Sequence, residues 1–439
     1  MVSGVSFNAF GSSTGLTQRG TSKARTNNVP GQMTRITKGS LIDVEYRFSS
    51  SANDGKLLSQ KNWLKGEDVT YAYDELERLI SAATTNNTSW GLSFAYDGFG
   101  NRLSQSVSQG SGPVSSLLVD GNSNRISSSG YSYDANGNMT LMPKGGGSMT
   151  LAYDYSNRMT SASGIEDYRY APDNRRVWRN QGTVSCQGID NSGNVGSMYQ
   201  QNGEQVIFYS PGGQKMGVYC VAFAVQSIYP PVNYVAVTAS EENVYFGGRL
   251  VGKRAPGNYV GTGVVSDFTA DRLQSKGDGS KFYPYGESRT GAAGDDKEQF
   301  ATYTRDAGTG LDYADQRMYA SGLGRFLQAD PFKGASSRFD PSSWNQFAYT
   351  RNNPSSRIDP QATYGQDIDD AFNCMVHPEW CVFIPPAPGF PAVYWGFDPW
   401  VYTSSGTIPF AAYNDSIIWG SVHWGNLASF AASQSLPMP

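Results

Sequence analysis

The chain has 439 residues, of which 13% are aromatic and 16% are charged, and its formal net charge is -4. Because lysine and arginine form no cluster along it, the composition excludes an electrostatic footprint for nucleic acid or an anionic membrane over the bulk of the protein. Tyrosine, phenylalanine and glycine are abundant and helix-forming runs are nearly absent, which favours an all-β fold. No apolar run is long enough to span a bilayer, so we expect no membrane span.

The sequence changes character at about residue 40. Residues 1–40 are rich in Ser, Thr, Gly and Asn without periodicity, and predict an irregular lead-in. In residues 41–180 one pattern recurs: an alternating strand, Tyr-Asp, a tight turn, then Arg or Asn before the next strand. Each copy predicts a β-hairpin, because Gly and Asn tolerate a positive φ and Asp accepts backbone N–H bonds across the turn. The clearest copies contain Tyr73-Asp74, Tyr96-Asp97, Tyr133-Asp134 and Tyr153-Asp154.

Three further segments follow the repeats. Residues 181–290 are less repetitive, but their β-branched and aromatic runs predict more sheet. Residues 291–362 predict short strands at 317–319 and 325–327, separated by a glycine turn and stopped by Asp330-Pro331. Residues 363–439 differ in composition and hold both histidines of the chain, so we expect a separate, variable C-terminal segment.

Residues 310–360 resemble the core of the Rhs (rearrangement hot spot) family, and the Tyr-Asp hairpins resemble the YD repeats that precede that core. Residues 282–287, with the sequence FYPYGE, also match a family motif. The resemblance implies a strip of antiparallel sheet wound into a partial hollow shell, which the core closes. It depends on Gly310-Leu311-Asp312-Tyr313, Arg317-Met318-Tyr319, Gly324-Arg325-Phe326-Leu327, Asp330-Pro331, Asn352-Asn353-Pro354 and Asp359-Pro360.

In Rhs relatives the core is an aspartyl autoprotease that cuts the chain just after an Asp-Pro-x-Gly motif. The resemblance therefore implies catalytic roles for Arg317, Asp330 and Asp359. One carboxylate activates water, the other protonates the leaving amine, and the arginine favours and orients the charged form. Ala362 stands where the family has glycine. The alternative is that both aspartates cap Asp-Pro turns and that the arginine is a cross-strand partner.

The resemblance implies a bacterial shell protein that encapsulates and delivers a toxin-like effector in competition between bacteria. Its expected partners are its own C-terminal segment as cargo, an immunity protein and secretion machinery, and no nucleic acid is expected on the shell. We expect a secreted or cell-surface location, by another route than a signal peptide or as a fragment of a longer protein. The alternatives are a cell-surface adhesion or carbohydrate-binding protein, or an inactive remnant.

The C-terminal segment shows no motif of a known effector. Cys374, His377, Cys381 and His423 are residue types that bind zinc, but their spacing matches no common zinc module. A disulfide between the two cysteines and a general-base role for either histidine stay open alternatives. We expect no cofactor and no metal.

Overall fold

The computed structural model describes residues 2–8, 13–86, 89–181, 203–226, 232–246, 249–254, 265–289, 297–331, 343–360, 362, 366–367, 400–403 and 406–409. The described chain is all-β, as the sequence predicts, and neighbouring strands in its sheets pair antiparallel. A short 3-10 turn, Thr350–Asn352, interrupts the strands. Within these ranges no helix has the length and apolar character needed to cross a membrane.

The first large sheet has eleven strands in the order of the chain, so each strand pairs with the next one. It consists of β1 (Val2–Phe7), β2 (Ser13–Gln18), β3 (Thr21–Asn27), β4 (Met33–Lys38), β5 (Ile42–Arg47), β6 (Ser59–Asn62), β7 (Glu67–Tyr73), β8 (Leu79–Thr84), β9 (Trp90–Tyr96), β10 (Arg102–Gly110) and β11 (Ser115–Ser116).

A two-stranded ribbon, β12 (Val119–Asp120) and β13 (Arg125–Ile126), leads into a second eleven-stranded sheet, which also follows chain order. This sheet consists of β14 (Ser132–Tyr133), β15 (Met139–Lys144), β16 (Gly147–Tyr153), β17 (Met159–Ala162), β18 (Glu166–Tyr170), β19 (Arg176–Asn180), β20 (Glu204–Tyr209), β21 (Lys215–Gln226), β22 (Val232–Phe246), β23 (Arg249–Arg254) and β24 (Val265–Asp267).

The remaining strands are short. Four of them form one small sheet, namely β25 (Thr304–Arg305), β26 (Asp312–Ala314), β27 (Arg317–Ala320) and β28 (Arg325–Phe326). Two further pairs are β29 (Arg357–Ile358) with β30 (Gln366–Asp367), and β31 (Trp400–Thr403) with β32 (Gly406–Pro409). The strands expected at 317–319 and 325–327 are thus present as β27 and β28.

The described part of residues 1–40, for which the sequence predicts an irregular lead-in, forms β1 to β4. Its strands lack an apolar signature because polar side chains take inward positions that are usually apolar. Gln18, Lys23 and Lys38 are 3%, 8% and 0% exposed. The periodicity of hydrophobic residues is therefore weak in these strands, although Leu16, Met33 and Ile36 are buried beside the polar side chains.

We call the two eleven-stranded sheets the wall, and residues 268–362, as far as they are described, the plug. One buried cluster joins Leu79 and Leu92 of the first sheet to Phe300 and Tyr349 of the plug. A second joins side chains of the other sheet to the plug, including Met139, Met159, Tyr168, Tyr313, Met318 and Leu327. The wall is therefore a strip of antiparallel sheet that curves around the plug as a partial shell, which confirms the predicted fold class.

The Tyr-Asp turns of the wall share one hydrogen-bond pattern. In the turn at Asp74, one carboxylate oxygen accepts the backbone N–H of Arg78 at 2.8 Å and the other accepts Nε–H of the same arginine at 2.7 Å. The residue before the arginine, Glu77, has a φ of 64°. Equivalent pairs are Asp97 with Asn101, Asp134 with Asn138, and Asp154 with Arg158. The aspartate thus serves its own turn, as the sequence predicts.

The tyrosine of each turn ties one hairpin to the hairpin before it. The Tyr96 hydroxyl donates to the Leu79 carbonyl at 2.6 Å, and the Arg78 guanidinium lies over the Tyr96 ring at 4.9 Å. The same contacts recur where Tyr170 donates to the Met159 carbonyl at 2.7 Å beneath Arg158. These tyrosines also pack against the clusters that contain the plug. The aromatic row therefore faces the inside of the shell.

Candidate functional site

Arg317, Asp330 and Asp359 meet in the plug, although they come from three separate parts of the chain. Arg317 begins β27, Asp330 follows β28, and Asp359 follows β29. Nη2 of Arg317 lies 3.0 Å from Oδ2 of Asp330 and 3.4 Å from Oδ2 of Asp359. One guanidinium nitrogen thus contacts both carboxylates, which is the grouping that the Rhs resemblance implies.

The other nitrogens of Arg317 bind backbone carbonyls. Nη1 donates to the Gln346 carbonyl at 2.8 Å, and Nε donates to the Ala362 carbonyl at 2.5 Å. The Gln346 carbonyl also accepts the backbone N–H of Asp330 at 3.1 Å. These bonds fix the plane of the guanidinium and hold its Nε–H against the Ala362 carbonyl.

The site is almost closed to solvent. The exposed side-chain fractions of Arg317, Asp330 and Asp359 are 3%, 9% and 4%. Burial lowers the pKa of Arg317, while the two carboxylates oppose this shift. Arginine retains its proton under these conditions. A charged guanidinium beside two carboxylates in a poorly solvated site is a strong local field.

The turn that contains Ala362 has the backbone of a glycine turn. Ala362 is fully buried and has a φ of 54°, in the left-handed region that L-residues rarely occupy. Its N–H donates to the Asp359 carbonyl at 3.2 Å. The Tyr303 hydroxyl donates to that same carbonyl. Ala362 therefore adopts the conformation that the family's glycine would favour, and Tyr303 holds the turn.

Sequence reasoning missed Tyr303 and Gln346. Tyr303 lies outside the motifs of the core. Gln346 acts through its backbone carbonyl, a group that every residue type has. Only the three-dimensional arrangement identifies them as parts of the site.

The arrangement has the groups needed for peptide hydrolysis at Ala362. A carbonyl that accepts a hydrogen bond from a guanidinium is polarised, and the same donor stabilises the negative oxygen of a tetrahedral intermediate. Two carboxylates beside one cation supply a base and an acid when one of them is protonated.

No family model and no curated protein matches the sequence. The structure is similar to a chain of the Photorhabdus luminescens Tc holotoxin pore, with a TM-score of 0.59 and 18% identity over 83% of this chain and 19% of that chain. It is also similar to the TcdB2–TccC3 complex without its hypervariable C-terminal region (TM-score 0.59, 18% identity, 82% and 19%) and to TcdB2–TccC3 itself (0.56, 18%, 82% and 20%). The chain spans about a fifth of the length of these neighbours. At this identity the likeness concerns the fold, and it supports the Rhs-like shell architecture.

Several residues singled out in the sequence lie outside the described ranges. They are Cys374, His377, Cys381 and His423, so the zinc, disulfide and general-base hypotheses stay predictions. Among the described residues, no group of three or more His, Cys, Asp or Glu side chains is placed to hold a metal ion.

Proposed function

We propose that this chain is the closing part of a shell that encloses a toxin-like C-terminal segment, residues 363–439, and that the plug cuts the chain after Ala362. The observation that carries the proposal is the Arg317 guanidinium, which binds Asp330, Asp359 and the Ala362 carbonyl together. A role in turn capping alone does not require both aspartates to contact one guanidinium that also binds the Ala362 carbonyl.

Enclosure is supported by the direction of the wall's aromatic row. The repeat tyrosines pack inward against the plug clusters, whereas adhesion or carbohydrate binding would use a row of rings facing solvent. One structural neighbour is described as having a hypervariable C-terminal region, and here too a segment of different composition follows the plug. The Rhs resemblance extends the proposal to secretion, delivery into competing bacteria and protection of the producer by an immunity protein.

The proposed cleavage is an ordinary hydrolysis. One carboxylate of the Asp330 and Asp359 pair takes a proton from water, whose oxygen attacks the Ala362 carbonyl carbon. Arg317 Nε–H stabilises the oxygen that becomes negative, and the protonated carboxyl gives its proton to the leaving amine of Thr363. The C–N bond breaks, and the products are the Ala362 carboxylate and a free amino terminus at Thr363.

The test is denaturing electrophoresis and intact mass spectrometry of the purified full-length chain beside Asp330→Asn and Asp359→Asn. We expect a fragment beginning at Thr363 in the wild type and none in either variant, because each carboxylate is needed once in the cycle. The matched control is Asp97→Asn in a wall turn, which keeps the fragment. Thermal unfolding of each variant establishes that it is folded.

A single uncut chain in the wild type and in folded Asp330→Asn would contradict self-cleavage. It would leave Arg317, Asp330 and Asp359 as a structural ion-pair cluster. Enclosure has its own readout, which is protection of residues 363–439 from added protease in the native protein.

A further inference from the structure

Strands near the two ends of the wall meet along a line that we call the seam. It consists of the side chains of Gln18, Lys23, Arg25, Lys38, Arg249 and Asp267 and the Val251 carbonyl. Lys38 Nζ lies 2.9 Å from Asp267 Oδ2 and donates to Gln18 Oε1 at 2.9 Å. Gln18 Nε2 in turn donates to the Val251 carbonyl. These bonds join β2 and β4 to β23 and β24 through side chains.

The seam carries an excess of positive charge. Lys23 stands directly opposite Lys38 in the β3–β4 pair, a juxtaposition of like charges that destabilises a sheet. Arg25 is two residues further along β3 and so lies on the same face as Lys23. The strongest electrostatic neighbours of Lys23 are Arg25, Arg249 and Lys38, against the single carboxylate of Asp267.

Lys23 is the least compensated of these cations. It is 8% exposed, and within the described ranges its ammonium group has neither a hydrogen bond nor an ion pair. Nε of Arg25 is also buried without a hydrogen-bond partner there. Buried cations without partners are costly, and folded proteins rarely retain them unless a counter-charge is supplied.

The electrostatic environment agrees with this geometry. Burial, followed by the charges of Arg25, Arg249 and Lys38, holds the pKa of Lys23 well below its usual value. Burial lowers the pKa of Arg25 to about 10. An anion beside these groups would restore their ordinary protonation.

We propose that the seam is a binding site for a small multivalent oxyanion of the phosphate or sulfate type. Lys23 and Arg25 supply donors from β3, and the charge of Arg249 is added from β23. A tetrahedral dianion carries twice the charge of chloride and spreads it over several acceptor oxygens, so it compensates cations on both sides of the seam better than chloride does. The near-complete burial of Lys23 and Lys38 excludes a large ligand. Bound there, the anion pins the beginning of the wall to its end.

The test measures thermal unfolding of the full-length chain, freed of phosphate and sulfate, as either sodium salt is titrated in with sodium chloride holding the ionic strength constant. A ligand specific for the folded state at about a hundred times its Kd raises Tm by a few degrees. We expect this rise in the wild type and its loss in Lys23→Met. The matched control is Lys61→Met on β6, which keeps the rise because Lys61 pairs with Asp68 at 3.0 Å away from the seam.

A second readout separates an anion site from a merely structural lysine. Without added oxyanion, Lys23→Met raises Tm, because it removes a buried amine that has no partner and can ionise only at a cost, and it keeps the apolar stem. If Lys23→Met does not fold, Arg25→Gln takes its place and loses the response to phosphate in calorimetric titration. Equal Tm values of the wild type in phosphate and chloride, or a lower Tm of Lys23→Met in chloride, would overturn the proposal.

Discussion

Aspartates of the wall and of the plug differ in the groups that their carboxylates bind. In the wall, both carboxylate oxygens of Asp74 and of Asp154 accept hydrogen bonds from N–H groups of their own turn. In the plug, Asp330 and Asp359 each direct a carboxylate oxygen at Arg317, which belongs to a different strand. A carboxylate held by its own turn shapes the backbone, whereas one that binds a cation of another strand joins distant segments of the chain.

The two regions also differ in how exposed their ion pairs are, and so in the stability lost when one partner is removed. The pair of Asp154 and Arg158 is partly exposed, with side-chain fractions of 19% and 16%. Around the plug the charges are buried, as in the pair of Arg176 and Asp306 at 2.6 Å, which are 1% and 0% exposed. Breaking a partly exposed pair costs little, but removing one partner of a buried pair leaves an unpaired charge. Substitutions therefore distinguish the regions.

The largest expected effect comes from Arg317→Met. It removes the buried cation that both Asp330 and Asp359 contact, so we expect a loss of about 3–5 kcal/mol in the free energy of unfolding. The matched wall variant, Arg158→Met, should lose at most about 1 kcal/mol. Denaturant unfolding of both variants gives the comparison. Adding Asp330→Asn and Asp359→Asn to Arg317→Met should recover part of the loss. Equal losses in Arg317→Met and Arg158→Met would refute the distinction between the regions.

A second effect appears as pH dependence where the wall meets the plug. Glu166 of β18 accepts the Tyr168 hydroxyl at 2.9 Å and the Gly308 N–H at 3.1 Å. Burial, and then the charge of Asp306, raises its pKa to about 7, although Arg179 and Arg176 oppose the shift. The folded state therefore holds this proton more tightly than the unfolded state. The resulting stability is fully present below the unfolded pKa and is lost as pH rises through the folded value.

We therefore expect the wild type to be more stable at about pH 5 than at about pH 8, with Glu166 contributing at most about 3 kcal/mol to the difference. Glu166→Gln keeps an acceptor for Gly308 but cannot ionise, so its Tm should change less over this interval. Asp97→Asn, in a wall turn, should leave the slope unchanged. An unaltered pH profile in Glu166→Gln would show that its ionisation is not linked to folding.

The smallest effect concerns a conformation that both regions share. Ala362 in the plug and Arg19 in the β2–β3 turn have φ values of 54° and 49°. Because L-residues are strained there, Ala362→Gly and Arg19→Gly should each stabilise the protein by about 1 kcal/mol or less, after the entropy of glycine is offset. Chemical denaturation measures both gains. A gain at position 19 with a loss at 362 would mean that the methyl group of Ala362 is needed for packing.

Much of this organisation could be predicted from the sequence, because the repeats encode their turns locally. The carboxylate of Asp97, the glycine at 100 and the amide of Asn101 lie within five residues of one another, so the hairpin is legible from spacing alone. The resemblance to the Rhs core likewise brought Arg317, Asp330 and Asp359 together before their distances were known. Their catalytic role stays a prediction.

Other features are set by contacts between distant parts of the chain. The Tyr303 hydroxyl reaches the Asp359 carbonyl, and Asp306 pairs with Arg176 of the wall, although neither spacing forms a motif. The strands of residues 13–38 give a weak signal in the sequence because Gln18 and Lys38, which meet β23 and β24 at the seam, alternate with the buried apolar residues Leu16 and Ile36. Hydrophobic periodicity does not signal inward positions taken by lysine and glutamine.

The chain order of the strands has a consequence for biosynthesis. Every strand of each wall sheet pairs with its neighbour in sequence, so the wall can form hairpin by hairpin as the chain leaves the ribosome. The plug is made after the wall, yet it covers the inner face that includes Leu79, Leu92 and Met159. A nascent wall therefore exposes an apolar surface until residues 268–362 emerge. We expect the protein to be most prone to aggregation between the synthesis of the wall and that of the plug.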